Sequence, residues 1–231
     1  MPAKNAKSQA RKAPVEKSGQ SLTDRAYGEL EELIVTLRLA PGTVVSEAEL
    51  SQRLGIGRTP IREALQRLAR ERLVTILPRR GIIVSEINVK SQLRLLEVRR
   101  EVERLVARSA ARRAEGEERK RFAGIAREFE KSARSNDAVT FMRIDREFNE
   151  LSVSVARNEF AAGAMGLMHS LSRRFWFLHY RQAADLPLTA KLHADIARAI
   201  AAADEAGAGR AMDRLLDTIE IFTRATVSTD F

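Results

Sequence analysis

Cysteine is absent from this chain, so neither a disulfide framework nor a thiolate zinc site can hold it together, and nothing ties it to an oxidising compartment. Long apolar runs are missing too. None approaches the ~18 residues that a membrane-spanning helix needs. The first twenty residues carry Lys4, Lys7, Arg11, Lys12 and Lys17 against the single acid Glu16, with no apolar stretch behind them to make a signal peptide. Residues 1–20 therefore read as a disordered basic arm, and the protein is expected in the cytoplasm with no membrane partner. Catalytic signatures are lacking as well. There is no cysteine nucleophile, no G-x-S-x-G elbow, no P-loop and no H-E-x-x-H, and the Gly55-x-Gly57 pair is too short for a dinucleotide fingerprint. An enzyme is not expected.

What is present is charge, unevenly placed. The net charge is +9 over 231 residues, long enough for two domains of roughly 100–150 residues, and such an excess suits a polyanionic partner. Leu22 to Glu49 holds two bases against six acids, whereas Leu50 to Arg80 holds eight arginines against Glu63 and Glu71. Positive charge concentrates where a motif lies. Leu22, Ala26, Leu30, Leu33, Ile34 and Leu37 repeat at helical spacing, so a first helix is expected over Leu22–Leu37. It is broken by Ala40-Pro41-Gly42, after which Val44-Val45 reads as a short extended piece. Ser46 and Glu49 form a capping box for a second helix to about Leu54, with Leu50 and Leu54 inward. Gly55-Ile56-Gly57 makes a tight turn. A third helix restarts with Thr59 as N-cap and Pro60 in first position, burying Ile61, Leu65 and Leu68.

Helix, tight turn, helix is the DNA-binding unit whose second helix leads into the major groove. Arg58 and Arg62 occupy its leading end and are expected to stand free for phosphates or guanine edges. Leu73–Leu77 and Ile82–Val84 read as a hairpin with Arg79 and Arg80 at its tip, a basic wing. The one tyrosine of this region, Tyr27, lies in the first helix, so the aromatic platforms of an RNA reader are absent. A partner of double-stranded DNA, bound by residues 21–86, is the expectation. Residues 87–231 read as helical throughout, over about Ser91–Ala114, Glu117–Ser132, Ala138–Ala156, Ala161–Gln182, Pro187–Ala203 and Ala206–Thr226. The first of these directs Leu93, Leu96, Val102, Leu105 and Val106 inward. The fold class is mainly α: a winged helix-turn-helix of three helices and a small hairpin, then an all-α antiparallel bundle of the kind that places ligand sites between facing helices.

The run from Leu50 to Leu65, LSQRLGIGRTPIREAL, with Ala40-Pro41-Gly42 before it and Pro78-Arg79-Arg80-Gly81 after it, closely resembles the winged helix of the GntR family of regulators. The helical remainder, with Glu97-Val98-Arg99 opening it and Asp145-Arg146-Glu147-Phe148-Asn149 in its middle, resembles the FCD effector domain of the FadR subfamily. The resemblance implies a homodimer on a palindromic operator, usually a repressor, released by a small metabolite in the helical domain. Carried over, the DNA contacts are Arg58, Thr59 and Arg62 on the recognition helix and Arg79 and Arg80 on the wing. Ala48 stands where some relatives have a contacting arginine, and Arg72 where a glycine is usual.

Many FCD domains bind a divalent metal such as Zn or Ni through an aspartate, a histidine four residues on, and two later histidines. Asp145 and His193 match that set, Asn149 replaces one histidine and Leu215 another, and leucine cannot ligate. Three readings of Asp145, Asn149 and His193 stand: a polar cluster, a partial metal site, or, with Arg99, a pocket for a small acidic or hydroxylated effector, since arginine matches a carboxylate bidentately. His169, Arg173 and His179 fall near one helix face beside Arg174-Phe175-Trp176-Phe177, an aromatic group that suits a core or dimer contact and that borders the pocket in the alternative reading. Metal-dependent sensing, or constitutive DNA binding without a ligand, are the alternatives to a metabolite-responsive regulator.

Overall fold

Ser21 opens the first helix in the computed structural model, which describes residues 21–183 and 185–226; the basic arm over residues 1–20 lies outside them. Its hydroxyl accepts the Asp24 N–H at 3.0 Å, capping α1 (Leu22–Val35). The helix stops two residues before the expected Leu37, because Leu37 turns left-handed (φ 60°) and Leu39 folds back so that its N–H meets the Leu33 carbonyl at 2.9 Å. That turn returns Leu39 to the core. Ser46 and Glu49 form the capping box of α2 (Glu47–Leu54), and Gly55, left-handed at φ 64°, closes it. Leu50 is buried, as expected, while Leu54 is only partly so.

α3 (Arg58–Arg70) begins one residue earlier than the sequence suggests, with Gly57 rather than Thr59 as N-cap and no side-chain cap. Gly57 takes the extended conformation the cap needs, and Pro60 still falls within the first turn, where its missing N–H is harmless. α3 ends in a Schellman closure: Arg72 N–H meets the Ala69 carbonyl at 3.0 Å and Leu73 N–H the Leu68 carbonyl at 2.9 Å. Arg72 is therefore the left-handed residue (φ 60°), the place a glycine fits without steric cost.

The expected hairpin is present as β2 (Val74–Leu77) and β3 (Gly81–Val84). The extended Val44–Val45 joins it as β1, antiparallel on the free edge of β3, giving the order β1-β3-β2. Gly81 (φ 99°) cannot be replaced freely, because a Cβ there would stand 3.0 Å from the Val45 carbonyl oxygen.

Among the described residues six further helices follow: α4 (Val89–Arg113), α5 (Gly116–Ser135), α6 (Ala138–Ala156), α7 (Glu159–Ala183), α8 (Leu186–Ala201) and α9 (Glu205–Ala225). Asn88, Asp137, Asp185 and Asp204 accept backbone N–H groups at the starts of α4, α6, α8 and α9. α5 packs on α8, and α4 on both α9 and α7. Phe122, Phe129, Phe141, Phe148, Ile144, Ile196 and Leu215 fill this core. The burial of Leu105 is not as expected: it is 46% exposed, because the bundle buries the neighbouring stripe of α4 through Val106, Ala107 and Ala110.

The winged core, built on Ala26, Leu30, Ile34, Ile61, Leu65, Leu68 and Val84, is distinct from the bundle core, yet each takes a residue from the other. Val35 of α1 lies in the bundle core, and Leu171 of α7 packs on the winged core. α1 and α7 are thus the joint between the two.

Replacing Arg72 by glycine should raise stability by about 1 kcal/mol, since relief of the left-handed strain exceeds glycine's added unfolded-state entropy. A urea midpoint that rises with unchanged slope bears this out, and a lower midpoint refutes it.

Candidate nucleic-acid interface and ligand pocket

The tip of α3 faces solvent. Arg58, Thr59, Arg62 and Glu63 are exposed while Ile61, Ala64 and Leu65 are buried, the division that a helix lying in a groove requires. Arg79 and Arg80 are also exposed. Arg79 takes φ 63° at the head of the hairpin, and Arg80 N–H closes the turn on the Leu77 carbonyl at 3.0 Å.

Arg62, expected to stand free, does not. Its Nε and Nη2 donate to both oxygens of Glu47 at 2.9 and 2.7 Å, a bidentate fork from α3 back to the first residue of α2. These hydrogen bonds pull the Glu47 carboxyl below the usual carboxylate range and push Arg62 up. The pair is exposed, so water and salt weaken it, and a phosphate can replace the carboxylate. Nothing in the local pattern reveals a partner fifteen residues away.

The second site is a cavity of about 240 Å³ in the helical domain. α4 brings Gln92 and Arg99 to it, α6 brings Phe141, Asp145 and Asn149, α7 brings His169, Ser172, Arg173 and Trp176, and α8 brings Thr189 and His193, with Ile219 and Phe222 of α9 closing an apolar side. The sequence-derived group of Arg99, Asp145, Asn149 and His193 is therefore brought together. Asp145 is its centre. His193 Nε2 stands 3.3 Å from Oδ1, His169 Nε2 3.8 Å from Oδ2, and Asn149 Nδ2 donates to Oδ1 at 3.0 Å and to the Asp145 carbonyl at 2.8 Å. Burial alone would raise the Asp145 carboxyl, but the two facing imidazoles outweigh it and hold it well below the usual carboxylate range. His193 is fixed in place by its Nδ1 on the Thr189 carbonyl at 2.8 Å and by the rings of Phe129, Phe141 and Phe148 around it.

Arg99 is less available than the sequence suggests. Its Nε donates to Glu103 at 2.6 Å in a buried pair one turn apart on α4. In its stead α7 supplies groups that the sequence had only placed nearby. The buried His169 Nε2, Ser172 Oγ and Arg173 Nε have no hydrogen-bond partner among the described residues, and all three residues line the cavity. Buried polar atoms without partners are costly, and a bound ligand or water would satisfy them. His179 is not among the lining residues; it packs on Phe175 with ring centroids 4.6 Å apart.

An exposed basic helix tip and wing joined to a helical domain that holds a partly open cavity are the arrangement of a DNA-binding regulator with a separate effector domain. Comparison with known proteins agrees. Residues 22–84 match the family of bacterial regulatory proteins, gntR family, and residues 94–218 match the FCD domain. The chain belongs to the GntR family of transcriptional regulators and carries an FCD domain. It is 26% identical over 200 residues to the HTH-type transcriptional repressor RspR of Escherichia coli K12, covering 87% of this chain and 88% of that protein. An HTH-type transcriptional regulator of Streptomyces ambofaciens is 45% identical over 62 residues, which span 27% of this chain and only 26% of that protein. The fold is similar to E. coli McbR/YncC, with a TM-score of 0.77 at 18% identity over 90% of this chain and 100% of that one. These relatives are regulators rather than enzymes.

FCD domains bind effectors or metals, and the donor set here does not fit the four-ligand metal site. Leu215 is buried in the core at 2% exposure, Asn149 turns its NH₂ toward Asp145, and among the described residues no three His, Cys, Asp or Glu side chains are grouped to hold an ion. No helix among those residues is long and apolar enough to cross a membrane.

Replacing Arg58 by alanine should lower the slope of log K against log salt for duplex DNA by about 0.9. Glu47→Gln, which releases Arg62, should steepen it. A slope unmoved by either change would take the α3 tip off the DNA.

Proposed function

We propose that the chain is a repressor that binds a palindromic operator in the cytoplasm as a homodimer and releases it when a small carboxylate enters the helical cavity. The observation that carries the effector half is the cavity lined by His169, Ser172 and Arg173, whose buried Ser172 Oγ and Arg173 Nε have no hydrogen-bond partner among the described residues. Those groups suit the acidic end of a ligand, while Asp145 and Asn149 suit a hydroxyl or amine on it, with His193 and Arg99 completing the polar wall. Arg58, Thr59 and Arg62 would read the major groove, and Arg79 and Arg80 the adjoining backbone. The name of RspR, a repressor, supports the sign of regulation.

Dimerisation has support from an apolar stripe. Leu95, Val98, Val102 and Leu105 recur at three- and four-residue spacing along α4, the pattern of a helix seam. Val98 is 54% and Leu105 46% exposed. Leu167 and Phe160, on the α7 that packs beside α4, are 51% and 82% exposed. A second copy covering this face would supply the second recognition helix that a palindromic operator needs, with half-sites one DNA turn, roughly 34 Å, apart. Metal-dependent sensing is the weaker reading, because Leu215 removes a ligand.

The function is tested by thermal-shift screening of carboxylic acids, neutral sugars and divalent metals, followed by anisotropy with a duplex selected from a random pool. A carboxylate should raise the melting temperature and release the duplex. His193→Ala should blunt that response and leave duplex binding intact. If the response survives His193→Ala, or if no carboxylate shifts the melting temperature, the cavity is not the effector site. Val98→Glu combined with Leu105→Glu should leave a folded monomer by analytical ultracentrifugation, and an unaltered dimer would move the interface elsewhere.

A further inference from the structure

The cavity and the joint between the domains share a residue. Arg173 lines the cavity, and its Nη1 donates to Glu31 of α1 at 2.8 Å, in a pair whose side chains are 6% and 4% exposed. The next residue, Arg174, donates to the carbonyls of Ser85 and Glu86 at 2.8 and 3.2 Å, just beyond β3. One turn of α7 therefore grips the winged domain in two places. The same turn presents His169, Ser172 and Arg173, at i, i+3 and i+4, to the cavity.

We propose that Arg173 is a two-position switch: an oxyanion bound in the cavity draws its guanidinium off Glu31, and α1 with the winged domain is loosened from the helical domain. This rests on the cavity being the effector site and names both its ligand chemistry and its means of regulation. Carboxylate and phosphate share the chemistry that Ser172 Oγ and the Arg173 Nε can satisfy. Glu31 is not stranded by the exchange, since Arg146 Nη1 already stands 3.4 Å from its second oxygen. Arg146 follows Asp145 on α6 but does not line the cavity, so that fallback partner stays on Glu31 while the cavity fills.

The path onward from Glu31 is short. One turn earlier on α1, the Tyr27 hydroxyl donates to Glu71, the C-cap of α3, at 2.8 Å, and the Arg67 guanidinium lies 3.6 Å from the Tyr27 ring centroid. At the start of α1 the Thr23 hydroxyl donates to Glu63 at 2.6 Å. A shift of α1 reaches the recognition helix through these contacts rather than through distance alone.

The test uses the full chain, with sodium succinate and inorganic phosphate as probes in calorimetry and the selected duplex in anisotropy. Because Glu31 and the probe compete for one guanidinium, Glu31→Gln should bind the probe at least about fivefold more tightly than the unsubstituted chain. It should also hold the duplex more weakly and stop responding to the probe. Glu31→Asp, which keeps the charge on a shorter stem, should fall between, and guards against a folding defect in the first variant. Succinate alone active marks a carboxylate effector, phosphate alone a phosphoryl one. Unchanged or weaker probe binding in Glu31→Gln, or no binding of either probe to the unsubstituted chain, overturns the switch. The effector reading fails separately, when no ligand class shifts the melting temperature of the unsubstituted chain.

Discussion

Glu31 and Arg173, one from each domain, are buried against each other, and the joint between DNA-binding and helical domains is built around that pair. A carboxylate removed from water on the apolar side of α1 needs a cation wherever the helix docks. α1 can therefore settle on the bundle only where α7 and α6 present Arg173 and Arg146. Val35 then reaches the bundle core, Leu171 reaches the winged core, and Arg174 closes over the chain leaving β3. Burial lowers Arg174 to about 10, still protonated at neutral pH, so its hold on two carbonyls persists.

Apolar residues of similar volume would join two domains at least as firmly as a buried ion pair does. The pair contributes directionality and exchangeability. Its strength depends on where a guanidinium points, and the neighbouring cavity offers that guanidinium another place to point. The DNA-facing surface follows the same logic in a wetter setting. Arg62 rests on Glu47, and an anion would have to displace that carboxylate to take it, which would favour a strong anion over incidental ones. In both places an arginine is stored on an acidic side chain of the protein itself.

The winged helix was legible because its punctuation is local. Ser46 and Glu49, Gly55, Pro60 and Gly81 each fix one backbone conformation, and the reversal from acidic to basic composition marks the surface presented outward. The bundle's helices over 138–156, 187–203 and 206–226 were legible within one or two residues, although the caps that set their starts, Asp137, Asp185 and Asp204, show only in the structure. What escaped was tertiary. Leu105 reads as core because periodicity reports an apolar face without saying whether the chain or a second copy covers it. Thr59 reads as a cap because threonine often is one, yet the backbone had already turned at Gly57. The cavity was half legible: Asp145, Asn149 and His193 followed from a partial motif, whereas His169 and Arg173 joined them only through the packing of α7 on α6. The burial of Glu31 had no local signal, since it lies among the acids Glu29 and Glu32 and is distinguished only by what docks on it.

Hydroxyl-radical footprinting of the full chain on its selected duplex tests the central claim most directly, that α3 and the wing meet DNA together in a paired arrangement. The account predicts two protected patches on one face of the duplex, about one helical turn apart and related by two-fold symmetry. A single patch, or uniform protection without a preferred face, would contradict it.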